Sequence, residues 1–396
     1  MGGLAVLDFS FCSPTRFDFG RGAENFVGER IAGLGGTRAL IVYGGGSARR
    51  SGLLGRVEAS LDAAGVAHKE LGGAKPNPLD GLVYEGIRVY REAKCDFILS
   101  VGGGSAIDTA KAIALGAPYG GDFWDFFDGT AVPERAAPHG VILTIAAAGS
   151  EGSNSCVITK EAGRLKRGVN SELNRPAFAL LNPELTYGVD AYQTACGATD
   201  IMAHVLERYF TNERGVDLTD RLCEAILSAV ASAAPVALAN PTDYDARAQL
   251  MWAGMLAHNN SCGVGREADF ASHQIEHELS AMYDVAHGAG LAVVFPAWMR
   301  FQLDHDPSRF AQFAVRVWGC EMDFHRPERA ALAGIERFEA FLKSIGMPLT
   351  FAEIGADPAD IPELARKVKK SPAGTTGAFR PLDEKAIEAI YRIAVR

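Results

Sequence analysis

Three of the chain's nine histidines lie within fifteen residues, in the segment SHQIEHELSAMYDVAHG (272–288). His273 and His277 are four residues apart, which places both on one face of a helix. We expect this helix to end near Tyr283–Asp284, so that His287 begins the next segment. Ligands on either side of a tight reversal can converge on one ion. Three neutral imidazoles suit zinc, iron or nickel better than magnesium or calcium.

A second pair with the same spacing, Asp200 and His204, lies upstream in TDIMAHVLERYF. Both would occupy one face of a helix that is otherwise mostly apolar, and buried polar groups need partners. One carboxylate with several imidazoles predicts a divalent-metal site that keeps a position open for water or substrate. The alternative is that His204 is a core histidine paired only with Asp200, and that His277 is a helix-packing residue.

The string HQIEH also matches H-x-x-E-H, a zinc-hydrolase pattern. In that interpretation His273 and His277 would bind zinc and Glu276 would act on water. The match is only five residues long. It also leaves the Asp200–His204 pair and two glycine loops unexplained.

These two glycine loops are GGGS elements that follow predicted strands, at 44–47 and 102–105. Glycine lets the backbone turn sharply, and a helix N-terminus just beyond it suits phosphate. Neither loop is the G-x-G-x-x-G fingerprint or the P-loop, and either could be a simple strand-to-helix turn. Two such loops favour a phosphate ligand, because ligands of parallel sheets sit at the C-terminal ends of the strands.

The predicted secondary structure that must position these residues changes near residues 186–190. Before this point, apolar strands such as TRALIVY, DFILSV and GVILT alternate with helical patterns, including 57–71 and 80–95, which predicts a mostly parallel sheet covered on both faces. After it the pattern is almost wholly helical. We therefore predict an α/β, Rossmann-like dinucleotide-binding domain over 1–188 and an all-α metal-binding domain over 189–396, with the active site in the cleft between them.

Composition excludes several classes of protein. The net charge is −9 and no basic block is present, which argues against nucleic acid or an anionic membrane as a partner. No window is expected to match the twenty or so apolar residues of a membrane span, and the N-terminus lacks the basic region of a signal peptide. Seven scattered cysteines without a CxxC motif favour reduced thiols in a cytoplasmic protein.

The chain resembles the iron-containing (group III) alcohol dehydrogenases, and within them the branch of NADPH-dependent aldehyde reductases and butanol dehydrogenases. The similarity runs from LIVYGGGS to the C-terminal helix, and its marks are PNP (Pro76–Pro78), VGGGSAIDTAKAIA, ILTIAAAGSE, ATDIMAHVLERY and the histidine segment. It implies a dehydroquinate synthase-like fold and a homodimer. The implied activity is reversible hydride transfer between NADP(H) and a primary alcohol/aldehyde pair.

The resemblance also assigns the site residues. It implies a single metal ion, Fe²⁺ or Zn²⁺, with four ligands: Asp200, His204, His273 and His287. It moves His277 off the metal to a position near substrate and nicotinamide, where we hypothesise that it relays the alcohol proton to solvent. The residues that it places at the cofactor are Gly44, Gly45 and Ser47 in the first loop, Gly102, Gly103, Gly104, Ser105 and Asp108 at the pyrophosphate, Thr144 on the nicotinamide side, and Lys166.

The first glycine loop bears on the choice of cofactor. Family members that prefer NAD tend to carry an Asp there, which would repel a 2′-phosphate, whereas this chain has Gly45, Gly46 and Ser47 followed by Arg49 and Arg50. The loop thus predicts NADP(H) over NAD(H). Both arginines serve equally well as surface residues of the next helix.

Other features leave alternatives open. Ala148 stands where the family usually has Thr or Ser, which puts one cofactor contact in doubt. The aromatic stretch DFWDFFDG (122–129) either packs in the core or lines the site and favours unbranched or aromatic aldehydes. Non-redox sugar-phosphate cyclases share the layout, but the chain lacks the basic cluster expected around a phosphorylated substrate.

Overall fold

The computed structural model describes residues 5–396, which form two compact units. One unit is Cys12–Val189, and the other is Asp190–Arg396 together with the described residues up to Phe11. The division at 189/190 lies one residue from the position taken from the sequence. Residues 5–11 belong with the helical unit rather than the α/β unit, and there the Leu7 N–H donates to the Gly265 carbonyl at 3.0 Å.

The unit Cys12–Val189 is built on a six-stranded parallel sheet in the order β1-β8-β5-β4-β2-β3, beside a separate antiparallel hairpin, β6–β7. The strands are β1 (Arg16–Phe19), β2 (Arg38–Tyr43), β3 (Ala67–Gly72), β4 (Phe97–Gly102), β5 (His139–Leu143), β6 (Ser155–Lys160), β7 (Leu165–Asn170) and β8 (Phe178–Leu181). The helices of this unit are α1 (Val27–Gly33), α2 (Ser47–Arg50), α3 (Leu53–Ala63), α4 (Asp80–Glu92), α5 (Gly104–Gly116) and α6 (Asp125–Asp128).

Helices cover both faces of the sheet. Alternate residues of one strand belong to different cores, because successive strand side chains point to opposite faces. Ile41 packs in the core that includes Val57 of α3, whereas Leu40 packs in the core that includes Ile87 of α4 and Ile113 of α5. The parallel, doubly covered sheet confirms the predicted fold class of this unit.

The helical pattern expected over 57–71 is wrong in its second half. α3 ends at Ala63, and Gly65 has a φ of +72°, a left-handed conformation in which glycine commonly terminates a helix. The chain then forms β3, which pairs with β2 at the edge of the sheet. Parallel pairing with β2 therefore outweighs the helical pattern of the sequence here.

The unit that begins at Asp190 contains helices but no strand longer than an isolated bridge among its described residues. The helices are α7 (Ala191–Tyr209), α8 (Asp217–Ala239), α9 (Tyr244–His258), α10 (Ala271–Tyr283), α11 (His287–Gln302), α12 (Pro307–Trp318), α13 (Pro327–Ser344), α14 (Ile361–Lys367) and α15 (Glu384–Ile393). α7 contacts α8, α9 and α11, and α10 packs on α11. The all-helical architecture confirms the predicted fold class of this unit.

α8 corrects the expectation that no stretch is long and apolar enough to span a membrane. By length and composition alone Asp217–Ala239 meets that requirement. Core helices of soluble proteins pass the same test, and α8 packs against α7, α9 and α12. The helix is thus weak support for a membrane protein.

Candidate active site

α7 supplies the first two predicted metal ligands, Asp200 and His204. The helix begins where the side chain of Asp190 accepts the Gln193 N–H at 2.7 Å, an N-cap that fixes its first turn. Asp200 and His204 lie on one face of this helix, and only 6% and 4% of their surfaces are exposed. His204 Nε2 is 3.4 Å from Asp200 Oδ1.

α10 and α11 supply the other two predicted ligands, His273 and His287. α10 ends at Tyr283, Asp284 has a φ of +54°, and α11 begins at His287, so the reversal falls where the sequence predicts it. The Nε2 atoms of His273 and His287 each lie 3.8 Å from Asp200 Oδ1. One carboxylate oxygen therefore faces three imidazole nitrogens from three helices.

This arrangement fits a divalent cation. Asp200 Oδ1 and His273 Nε2 are buried and have no hydrogen-bond partner, which is costly for polar atoms removed from water. A tetrahedral ion with ligands at about 2.1 Å holds them about 3.4 Å apart, close to the 3.4–3.8 Å separations here. One carboxylate with three imidazoles suits Fe²⁺ and Zn²⁺ alike.

Burial and charge act differently on two of these histidines. Burial, and then the neighbouring His258 and His273, hold the pKa of His204 well below its usual range, so His204 is neutral as a ligand must be. Burial also lowers the pKa of His273, but the carboxylates of Asp200 and Glu207 outweigh burial and raise that pKa to about 9. A proton on His273 therefore competes with a cation for the same nitrogen.

His277 occupies a different group of donors from His273. Asp200, His204 and His273 form one group of potential ligands, and Glu276, His277 and His287 form another. The ring of His277 is 5.7 Å from that of His287, and only 7% of His277 is exposed. The hydrolase alternative needs His273 and His277 on one ion, which this grouping does not favour.

The two glycine loops come together at one point of the sheet. β2 and β4 are neighbours, and Gly44, Gly45 and Ser47 follow β2 while Gly102, Gly103, Gly104 and Ser105 end β4 and open α5. The chain runs outward from β2 to the edge strand β3 and returns to β4 on the other side. Such a change of direction is where doubly wound sheets bind ligands.

The packing of the second loop against its neighbours requires glycine at two positions. A Cβ on Gly103 would lie 3.1 Å from the Cβ of Ile145, and one on Gly102 would lie 2.8 Å from the Cβ of Ala106. At the N-terminus of α5, where the helix dipole is positive, the Ala106 and Ile107 N–H groups donate to the Gly103 carbonyl, both at 3.1 Å. The N–H groups of Gly104 and Ser105 make no backbone hydrogen bond to a described residue, so they can donate to an anion such as a pyrophosphate.

The other three residues predicted at the cofactor surround this region. Asp108 accepts the Ser150 hydroxyl at 2.7 Å and the Val157 N–H at 3.0 Å, so its carboxylate braces the segments that follow β5. The Thr144 N–H donates to the Gly102 carbonyl at 3.0 Å, which places Thr144 beside the second loop. Lys166 on β7 donates to Asn77 Oδ1 at 3.0 Å.

The aromatic stretch belongs to the core. Its four aromatic side chains are each at most 5% exposed and pack with the residues of α4 and α5; they are Phe123, Trp124, Phe126 and Phe127. Trp124 and Phe127 stack with ring centroids 5.4 Å apart. Of the two interpretations of this stretch, the structure supports core packing.

Comparison with known proteins agrees with both halves of this arrangement. A model described as iron-containing alcohol dehydrogenase matches residues 14–183, and one described as Fe-containing alcohol dehydrogenase family, C-terminal, matches residues 194–395. The chain belongs to the iron-containing alcohol dehydrogenase family. The resemblance inferred from the motifs is thereby confirmed.

Several members of the iron-containing alcohol dehydrogenase family match along nearly their full length. The probable NADH-dependent butanol dehydrogenase 1 of Bacillus subtilis is 38% identical, over 98% of this chain and 100% of the relative. The NADPH-dependent aldehyde reductase YqhD of Escherichia coli is 35% identical, over 98% of this chain and 99% of the relative. The crystal structure of NADH-dependent butanol dehydrogenase A from Thermotoga maritima has a TM-score of 0.96 at 36% identity, over 99% of this chain and 100% of that one.

Family membership does not decide between the two nicotinamide cofactors, because relatives of similar identity are named for NADH and for NADPH.

Two charged contacts near the candidate site were not predicted from the sequence. The Glu207 carboxylate contacts His273 Nδ1 at 2.9 Å, and Glu276, considered only as a hydrolase base, contacts His287 Nδ1. The sequence does contain a signal for these two contacts, because Glu207 and Glu276 each follow a predicted ligand by three residues.

Proposed function

We propose that this enzyme transfers hydride reversibly between NADP(H) and a primary alcohol/aldehyde pair, and that it depends on one divalent metal ion. The observation that carries the proposal is the convergence of three imidazole Nε2 atoms on Asp200 Oδ1 at 3.4–3.8 Å, in a chain of this family. Butanol dehydrogenases and an aldehyde reductase among the relatives support a small aldehyde as substrate.

In the proposed enzyme Asp200, His204, His273 and His287 hold the ion, which would be Fe²⁺ or Zn²⁺. When bound, a divalent cation supplies a Lewis acid for an alcohol or carbonyl oxygen, and the nicotinamide supplies or accepts the hydride. His277 lies beside His287 and exchanges the alcohol proton with solvent. The residues of the two glycine loops, with Asp108, Thr144 and Lys166 around them, orient the dinucleotide.

The preference for NADP(H) rests on the first glycine loop. Arg49 forms an ion pair with Glu70 and donates to the Tyr43 hydroxyl at 3.1 Å, so its charge is already used. No described residue forms an ion pair with Arg50, whose guanidinium lies against Gly46. We assign Arg50 to the 2′-phosphate, since an unpaired arginine beside a loop without an acid can pair with it.

A homodimer is the proposed assembly. Val6, Phe9 and Phe11 are 47%, 59% and 47% exposed, and apolar surface of this kind is often covered by a second subunit. Light scattering would then give about 84 kDa, twice the chain mass of 42.1 kDa.

The seven cysteines are unbridged, which supports a reducing, cytoplasmic location.

The proposal is tested with anaerobically purified protein reconstituted with Fe²⁺ or Zn²⁺, butyraldehyde and NADPH. We expect loss of the reduced cofactor's absorbance, abolished by a chelator and restored by the metal. A non-redox sugar-phosphate cyclase, the alternative on the same fold, would leave NADPH unchanged. The His287→Ala variant should lose the metal as well as the activity, and a fully active His287→Ala enzyme would contradict the assignment.

A further inference from the structure

We propose that Glu207 and Glu276 are positioning residues for the metal centre, each fixing the ring of one histidine ligand. This inference rests on the proposed metal-dependent function and adds to it the pair of carboxylates that orients the ligands. Neither glutamate belongs to the predicted ligand set. Each contacts the Nδ1 atom of a histidine whose Nε2 faces Asp200.

Glu207 holds His273 at two atoms. Its Oε1 accepts the His273 backbone N–H at 3.0 Å and contacts His273 Nδ1 at 2.9 Å. Glu207 is 0% exposed, and its other carboxylate oxygen has no hydrogen-bond partner. A buried carboxylate is costly unless it is paired, so the contacts with His273 offset that cost.

Glu276 holds His287 across the reversal between α10 and α11. Its Oε2 contacts His287 Nδ1, and its Oε1 accepts a hydrogen bond from the Ser280 hydroxyl, which also lies 3.0 Å from the Val285 carbonyl oxygen. Glu276 is 0% exposed. Because both carboxylate oxygens are engaged, Glu276 acts on His287 rather than as the base of a hydrolase.

Gly290 provides the space for this contact. A Cβ on Gly290 would lie 2.5 Å from Glu276 Oε1 and 2.8 Å from Glu276 Cγ, closer than real Cβ atoms approach their neighbours. Gly290 is in α11, three residues after His287, so an added methyl group would displace the carboxylate without changing any ligand. The chain thus contains a substitution that probes the Glu276 contact indirectly.

The chemistry explains why a carboxylate is needed at these two places. A histidine that ligates through Nε2 carries its proton on Nδ1, and a carboxylate that accepts a hydrogen bond from this N–H fixes the tautomer and the ring and makes the ligand more basic. His204 lacks such a partner: its Nδ1 has no hydrogen bond, and its ring stacks on His258 with centroids 4.0 Å apart. Removal of a carboxylate that supports a ligand typically weakens metal binding by about 10–100-fold.

The test measures Zn²⁺ affinity of the metal-stripped full chain by competition with a chromophoric chelator. The variants are Glu207→Gln, Glu276→Gln and Gly290→Ala, with Glu207→Asp and Glu276→Asp as shortened carboxylates. The matched control is Glu213→Gln, because Glu213 is 2% exposed and binds Thr211 and the Glu267 N–H rather than a ligand. Thermal unfolding of each metal-free protein reports the purely structural cost.

We expect the two Gln variants and Gly290→Ala to bind Zn²⁺ about 10–100-fold more weakly, and Glu213→Gln to stay within about threefold of the parent. Partial recovery in the Asp variants would support a carboxylate-specific role. Equal Zn²⁺ affinity in all variants, with a parent that binds one ion, would overturn this inference and leave the proposed function standing. A parent that binds no Zn²⁺ would instead overturn the proposed metal-dependent function.

Discussion

Gly288 is the position where one methyl group should disable the metal site without touching a ligand. It follows His287 in the first turn of α11, and this turn lies directly on the backbone of α7. A Cβ on Gly288 would lie 2.1 Å from the carbonyl oxygen of Cys196 and 2.6 Å from its carbonyl carbon. Backbone cannot rotate away from such a clash as a flexible side chain can.

The size of the effect follows from these distances. Ordinary contact begins at 3.4 Å and the nearest atom lies at 2.1 Å, so the Gly288→Ala substitution must move α11 away from α7 by roughly 1.3 Å. Metal–ligand distances tolerate about ±0.2 Å. Because His287 is on α11 and Asp200 on α7, the displacement separates two of the four ligands. Loss of a residue that supports a ligand weakens metal binding by about 10–100-fold, and we expect the affinity for Zn²⁺ to fall by about 100-fold or more here.

The assay is chelator competition on the metal-stripped protein, with circular dichroism to verify folding. Gly55→Ala is the matched control: Gly55 is within α3, and a Cβ there meets nothing within 4 Å. That control should bind Zn²⁺ like the parent and gain up to about 1 kcal/mol of stability from its better helix propensity. Folded Gly288→Ala protein with Zn²⁺ affinity within threefold of the parent would refute the reasoning.

Three further predictions address the proton path, the cofactor and pH. His277→Ala should keep its metal but lose about 10²–10⁴-fold in kcat, and unchanged turnover would exclude the relay. Arg50→Ala should lower kcat/KM for NADPH about tenfold while leaving NADH unaffected, with Arg49→Ala as the control, and an equal loss for both cofactors would contradict the assignment. Burial raises the pKa of Glu151 from 4.5 to about 7, so the folded state binds a proton that the unfolded state releases, and stability falls as pH rises from about 4.5 to about 7. Glu151→Gln should therefore gain about 2–3 kcal/mol over the parent between pH 5 and pH 8 in urea unfolding, and a pH-independent difference would be inconsistent with this.

The sequence was sufficient for the elements that carry a strong periodic signal. Buried strands such as β2 and β4, followed by glycine, have no competing interpretation, and the four-residue spacing within α7 and within α10 placed their side chains on one face. The β6–β7 hairpin was not predicted, because its strands mix charged and apolar residues and lie outside the main sheet. β3 was not predicted, because its residues continue the helical pattern of α3.

The metal site was predictable as a list of ligands but not as a set of contacts. The family resemblance implied Asp200, His204, His273 and His287 as ligands, yet it could not show that three Nε2 atoms face one carboxylate oxygen. The supporting contacts of Glu207 depend on how α7 and α10 pack, which periodicity does not encode. The roles of the four ligands and of Glu207 stay predictions until metal affinities are measured.

The most direct measurement follows the hydride itself. Metal-replete enzyme, butyraldehyde and NADPH carrying deuterium at the transferred position are incubated anaerobically, and the butanol formed is examined by mass spectrometry. We predict one deuterium on C1 of the butanol formed by the parent enzyme, and no labelled butanol from chelator-treated enzyme or from His287→Ala. Unlabelled butanol, or equal labelling with and without the metal, would contradict metal-dependent hydride transfer.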